Sequence, residues 1–140
     1  FYGVYYGQAA LPLASETIEY LTNDVLDACT VFNVETNKTT GIYDLEKLEG
    51  QDPYDVFLSG AAAVLYIENP NAATDRELVV FRDSFGSSLV PLLVQNYAKV
   101  TLVDTRYVVS DLVGQFVEFD DQDVLFMYSA LVLNQSAVLR

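Results

Sequence analysis

Leu78-Val79-Val80-Phe81-Arg82-Asp83-Ser84-Phe85-Gly86-Ser87-Ser88-Leu89 is an apolar run that stops at a short polar turn and gives way to helical spacing. A nearly continuous apolar run of this length predicts a strand covered on both faces, and the pattern after it predicts a strand–turn–helix unit. A serine at such a junction, Ser84, is a candidate nucleophile. Serine is equally a residue that turns and helix starts favour, because its hydroxyl satisfies free backbone donors. The chain contains no histidine, so the imidazole that ordinarily serves a serine nucleophile as base is not among these residues.

Working outward, Lys99-Val100-Thr101-Leu102-Val103-Asp104 and Asp123-Val124-Leu125-Phe126-Met127-Tyr128 repeat the strand type. Residues 87–97 and 110–116 between them have helical apolar spacing, so the second half reads β-α-β-α-β. That order implies an α/β fold with a parallel sheet and right-handed crossovers. Ligands in such sheets gather outside the carboxyl ends of the strands, where Asp83-Ser84, Asp104-Thr105-Arg106 and Tyr128-Ser129 fall. Pro91 requires the helix after Ser84 either to start near Ser88, with the proline in its first turn, or to kink. Upstream, residues 17–30 space Ile18, Leu21, Val25, Leu26 and Cys29 as an amphipathic helix with Ser15 or Thr17 as its cap. Residues 30–45 then read as a hairpin, residues 48–54 as a loop and residues 61–67 as a strand.

The 140 residues suit one domain, and a hydrophobic content of 51% supplies a core. Twenty acidic residues against seven basic ones give a formal charge of -13, which repels phosphate backbones and excludes nucleic-acid partners. No window approaches the roughly 18 uninterrupted apolar residues of a membrane span, and residues 1–10 lack the basic start of a signal peptide. The aromatic opening Phe1-Tyr2-Gly3-Val4-Tyr5-Tyr6 reads as a domain interior, and the chain as a fragment whose upstream part is missing. Cys29 reads as a buried thiol. Without histidine, a metal would have to be a hard cation on carboxylates; Asp120, Asp121 and Asp123 read as a hydrated loop, and neither metal nor cofactor is expected.

Three blocks resemble the DHHW family: Asp52-Pro53-Tyr54-Asp55-Val56-Phe57-Leu58-Ser59-Gly60, then Val80-Phe81-Arg82-Asp83-Ser84-Phe85-Gly86-Ser87-Ser88-Leu89-Val90-Pro91, then Val103-Asp104-Thr105-Arg106-Tyr107. The opening and closing segments, Phe1 to Tyr6 and Asp123 to Tyr128, are similar to it as well. The family is in turn similar to SGNH-type hydrolases and alginate O-acetyltransferases. The resemblance implies a flavodoxin-like, three-layer SGNH fold with a small β-hairpin, of which residues 1–140 form the C-terminal portion. It also implies that the Asp-His-His-Trp motif lies upstream of Phe1, leaving this fragment inactive by itself for want of a histidine.

By the same resemblance Ser84 is the family's serine. Gly60 is an oxyanion donor through its N–H, alongside that of Ser84. Asp104 and Arg106 either line the cleft or pair with each other, and Tyr128 and Ser129 line it. Asp83, adjacent to the serine, reads as a turn residue and not as a triad acid. The chain departs from the family at Ser59-Gly60-Ala61-Ala62, where a second glycine and a polar residue are usual; loss of a side-chain oxyanion donor costs about 3–4 kcal/mol in the barrier. The implied activity is an acyl esterase or O-acyltransferase on cell-envelope carbohydrate, in an extracytoplasmic location. The alternative is a non-catalytic carbohydrate- or protein-binding module on the same fold.

Overall fold

β-branched and aromatic residues dominate the runs that become strands. In the computed structural model, which describes residues 2–3, 12–135, 137 and 139, six of these runs form one sheet. They are β1 (Thr30–Asn33), β2 (Lys38–Thr40), β3 (Val64–Glu68), β4 (Glu77–Arg82), β5 (Lys99–Val103) and β6 (Asp123–Met127), in spatial order β2-β1-β3-β5-β4-β6. β4 pairs in parallel with β5 on one side and β6 on the other. The β-α-β-α-β half of the expectation is therefore present. The wholly parallel sheet is not: β1–β2, β1–β3 and β3–β5 are antiparallel, and the sheet is mixed. The reason is connection length. β3 and β4 are joined by residues 69–76 alone, too few for a crossover, so the chain must reverse direction. The β1–β2 hairpin turns at Asn37, which has φ 53°, while the Asn33 carboxamide oxygen accepts the Glu35 and Thr36 N–H groups.

The helices are shorter than their periodicity suggests. The helix read over residues 17–30 contracts to α1 (Asp24–Ala28), capped by Asn23 and not by Ser15 or Thr17; Asn23 Oδ1 accepts the Leu26 N–H. Leu21, which helped make the apolar stripe, is 70% exposed and has no face to pack on. Cys29 follows α1 and is buried, its thiol donating to the Val25 carbonyl. The helix expected over residues 87–97 is α2 (Gly86–Leu89), starting two residues ahead of Ser88, and then two 3-10 turns, Val90–Leu92 and Val94–Asn96. Pro91, without an N–H, ends the α pattern. Residues 110–116 yield the 3-10 helix Ser110–Gln115. A final helix, α3 (Ala130–Asn134), is capped by Ser129 Oγ.

Two apolar clusters sandwich the sheet. Leu65, Ile67, Leu78, Val80, Val100 and Leu102 meet Leu26, Val90 and Val94 on one face. Val64, Val79, Phe81 and Val103 meet Val108, Val113 and Val117 on the other. β4 is thus buried on both faces, as its apolar run implies. β6 differs from the other two strands of its type: it is an edge strand, and Val124 and Phe126 are exposed. No helix among the described residues is long and apolar enough to cross a membrane. Of the aromatic opening, only Tyr2 and Gly3 are described; Phe1, Val4, Tyr5 and Tyr6 lie outside the described residues.

Leu65 is fully buried at the centre of the sheet and Leu131 of α3 is exposed. Leu65→Ala is expected to lower the unfolding free energy by about 2–5 kcal/mol. Leu131→Ala should change it by no more than about 0.5 kcal/mol. Urea titrations followed by circular dichroism measure both, and equal losses would contradict the layer assignment.

Candidate active site

β4 delivers Ser84 to the carboxyl edge of the sheet, and the residues around Ser84 fix it there. Asp83 is buried. Its N–H donates to the Met127 carbonyl at 3.3 Å, its Oδ1 accepts the Phe85 N–H at 3.0 Å and its Oδ2 accepts the Ser129 N–H at 2.7 Å. It is a turn residue that also ties the end of β4 to the end of β6. Tyr54, from the 3-10 turn Pro53–Val56, donates to the Ser84 carbonyl at 3.0 Å and lies 2.9 Å from Ser88 Oγ. The Ser84 carbonyl also accepts the Ser87 N–H at 3.1 Å. Ser84 is half-buried, and among the described residues neither its N–H nor its hydroxyl has a hydrogen-bond partner.

The next strand end brings Asp104 and Arg106 together as an ion pair. Arg106 Nε donates to Asp104 Oδ1 at 2.9 Å and Nη2 to Oδ2 at 2.6 Å, a two-pronged geometry completed by the Arg106 N–H on Oδ1 at 3.1 Å. The Asp104 hydrogen bond raises the Arg106 guanidinium above its usual value, against the opposing effect of burial. Thr105 Oγ1 meets the Tyr128 hydroxyl at 2.9 Å and joins the ends of β5 and β6. Burial pushes the Tyr128 hydroxyl above its usual value. Ser84, Asp104, Arg106 and Tyr128 therefore share one edge, with Ser129 beside them through Asp83.

Gly60 lies in an unusual turn. Leu58, Ser59 and Gly60 are left-handed in succession, at φ 57°, 58° and 95°. A Cβ on Gly60 would lie 2.5 Å from Asp55 Oδ1, so only glycine fits. The Gly60 N–H, carried over as an oxyanion donor, donates within the turn to the Phe57 carbonyl at 3.2 Å. Ser59 Oγ donates to Asp44 Oδ2 at 3.0 Å, and Ala61 adds no polar side chain. Tyr54, in the 3-10 turn Pro53–Val56 that precedes this segment, bonds to the Ser84 turn.

Two members of the site carry weaker sequence signals. Tyr54 stands in a turn and reveals its role only through the fold. Arg82 is fully buried on the face shared by Leu78 and Val80, a position that strand alternation assigns to the core. Burial lowers its guanidinium below the usual value, with Asp104 opposing. A concavity of about 740 Å³ lies elsewhere, at the far end of β5 among Phe32, Tyr66, Glu68, Lys99 and Phe116. Among the described residues, no three His, Cys, Asp or Glu side chains converge as a metal site.

Comparison with known proteins agrees on one family. The DHHW protein family model matches residues 1–103. The structure resembles that of Bacillus cereus PatB1 with a sulfonyl adduct, at TM-score 0.56 and 25% identity over 75% of this chain and 38% of that one. A second PatB1 structure aligns at TM-score 0.54 and 26% identity, over 75% of this chain and 36% of the other. A DHHW family protein from Eubacterium siraeum shares the fold at TM-score 0.57 and 20% identity, over 79% of this chain and 39% of that one. The chain thus spans under two-fifths of the length of these solved structures. No curated protein matches it.

Asp83→Ala strands two backbone donors at the strand ends and is expected to cost about 3 kcal/mol, read as a lowered urea midpoint. Asp55 gives a pH test. Burial raises its carboxyl above the usual value, Asp52 adds to the rise and Lys47 opposes it. A carboxyl raised on folding contributes stability that is complete below its unfolded value and disappears as pH rises through the folded value. Asp55→Asn should therefore raise Tm at neutral pH, with the gain shrinking to nothing at low pH. A gain independent of pH would contradict this.

Proposed function

The match over residues 1–103 makes the chain a member of the DHHW protein family, and from that premise we propose that it is the serine-bearing portion of an acyl esterase or O-acyltransferase with Ser84 as nucleophile. The observation that carries the reading is the turn after β4, where the neighbours of Ser84 are held by hydrogen bonds and its own hydroxyl is left to react. In the reaction, Ser84 Oγ attacks the acyl carbonyl, a base removes the hydroxyl proton, and the alcohol of the donor leaves with a proton returned to it. The acyl group then passes to water or to an acceptor hydroxyl. In this reading the base is an imidazole from outside the 140 residues, and the sheet belongs to a three-layer SGNH-like domain. Carbohydrate of the cell envelope is the substrate class we assign, in an extracytoplasmic setting. The sulfonyl adduct borne by PatB1 supports the assignment, because sulfonyl electrophiles are captured by activated hydroxyls.

One specific observation favours a second reading, a non-catalytic module that binds carbohydrate or protein at the same edge. The Gly60 N–H bonds to the Phe57 carbonyl, and Ala61 offers no donor, so the oxyanion site has the Ser84 N–H and lacks its second member.

Treatment with phenylmethylsulfonyl fluoride and peptide mapping separates the two. Under the catalytic reading the chain labels slowly, added imidazole accelerates modification at Ser84 selectively, and Ser84→Ala abolishes it. Labelling spread evenly over the serines, with no preference for Ser84, would favour the binding module.

A further inference from the structure

Two peptide groups flank Ser84, and they are held differently. In the Ser84–Phe85 peptide both ends are engaged: the carbonyl accepts from the Tyr54 hydroxyl at 3.0 Å and the Ser87 N–H at 3.1 Å, and the N–H donates to Asp83 Oδ1 at 3.0 Å. In the Asp83–Ser84 peptide only the carbonyl is engaged. It accepts the Gly86 N–H at 3.0 Å and, from the fully buried Arg82, Nη1 at 3.4 Å. Nη1 also donates to the buried Ser87 Oγ at 3.1 Å, and Gly86 leaves room for the arginine stem, since a Cβ there would lie 2.9 Å from Arg82 Cβ. The peptide is trans and planar, so its C=O and N–H point in opposite directions. A carbonyl drawn inward to Arg82 therefore turns the Ser84 N–H away from the core, where it has no partner among the described residues.

Reversing this peptide would face the Ser84 N–H toward a guanidinium that has donors and no acceptor, and would leave the Gly86 N–H without its carbonyl. Charge pairing does not account for the burial of Arg82: Nε and Nη2 have no acceptor among the described residues, and the Asp104 carboxylate is held by Arg106. A buried cation is costly, and what this one discriminates is the orientation of one peptide. We propose that Arg82 is a positioning residue that sets the Ser84 N–H as an oxyanion donor, by holding the carbonyl at the other end of the same peptide. This role rests on the reading of Ser84 as nucleophile. It goes beyond that reading by giving the donor an anchor inside the fold, independent of the Gly60 turn.

Phenylmethylsulfonyl fluoride with added imidazole is the probe, used on the 140-residue chain well below its Tm. Ser84 Oγ attacks sulfur, the S–F bond breaks, fluoride leaves and imidazole takes the hydroxyl proton, while charge builds on a sulfonyl oxygen. Arg82→Met should slow labelling at Ser84 by about tenfold or more, and Arg82→Lys, which keeps a donor, should recover most of the rate. Val100→Ala, which costs stability in the core at the far end of the strands, should leave the rate unchanged. A spectroscopic signature accompanies the rates: in the 15N-labelled chain, sulfonylation should move the Ser84 amide proton downfield and slow its exchange, and the Arg82→Met adduct should show a smaller change. Selective labelling of Ser84 at one rate in the wild type and in Arg82→Met would overturn the positioning role while the nucleophile reading stands. So would a wild-type adduct whose Ser84 amide keeps the shift and exchange rate of the free chain, a result readable even if Arg82→Met fails to fold. Wild-type labelling with no preference for Ser84 would overturn the nucleophile reading, and the positioning role with it.

Discussion

Buried between two strand ends, the Asp83 carboxylate accepts the Phe85 N–H with one oxygen and the Ser129 N–H with the other, while its own N–H reaches the Met127 carbonyl. Each bond satisfies a donor that the end of a strand or the start of a helix leaves open. Together they make the exit of β4 and the exit of β6 one unit. Ser84 therefore does not ride on a mobile loop: its peptide lies between a residue held by β6 and a helix held by Tyr54. The parallel β5-β4-β6 pairing places this unit at the sheet edge, and the apolar clusters on both faces keep β4 from shifting register, because a one-residue slip would turn Arg82 to the other face.

The same edge concentrates three fully or almost fully buried charged side chains, Arg82, Asp83 and Asp104, in a chain whose net charge is -13. Surface acidity and edge chemistry are separate matters. The surface charge serves solubility and repels polyanions. The edge charges are held by geometry, Asp83 by backbone donors and Asp104 by a two-pronged arginine. The cost of removing charges from water is met where partners are complete. It is incompletely met at Arg82, whose Nε and Nη2 have no acceptor among the described residues.

The second half of the fold was legible because Leu78 to Phe81 is long, apolar and bounded by a polar turn, a pattern with few other solutions. The antiparallel half was not, since strand direction there depends on a short connection and a hairpin and not on side-chain periodicity. Residues 17–30 misled for a related reason: Ile18 and Leu21 have helical spacing, but Leu21 finds no apolar surface to cover, and periodicity without a packing partner does not sustain a helix. At the site, Ser84 and the Asp104–Arg106 pair followed from strand ends. Arg82 did not, because a charge closing a strand is ordinarily solvated; only its alternation with Leu78 and Val80 points inward. Leu58 and Ser59 gave no warning of left-handed backbone, a conformation their residue types seldom adopt.

The left-handed turn and the Ser84 turn are held in different ways. The Ser84 turn is held by bonds from Asp83 and Tyr54. The left-handed turn has two non-glycine residues in a region costing of order 1–3 kcal/mol each, retained because Leu58 is buried, Ser59 is bonded to Asp44 and the Asp55 carboxylate lies against Gly60. Its Gly60 N–H closes the turn by donating to the Phe57 carbonyl at 3.2 Å. The Gly60 N–H is thus committed within its own turn, whereas the N–H and hydroxyl of Ser84 have no hydrogen-bond partner among the described residues.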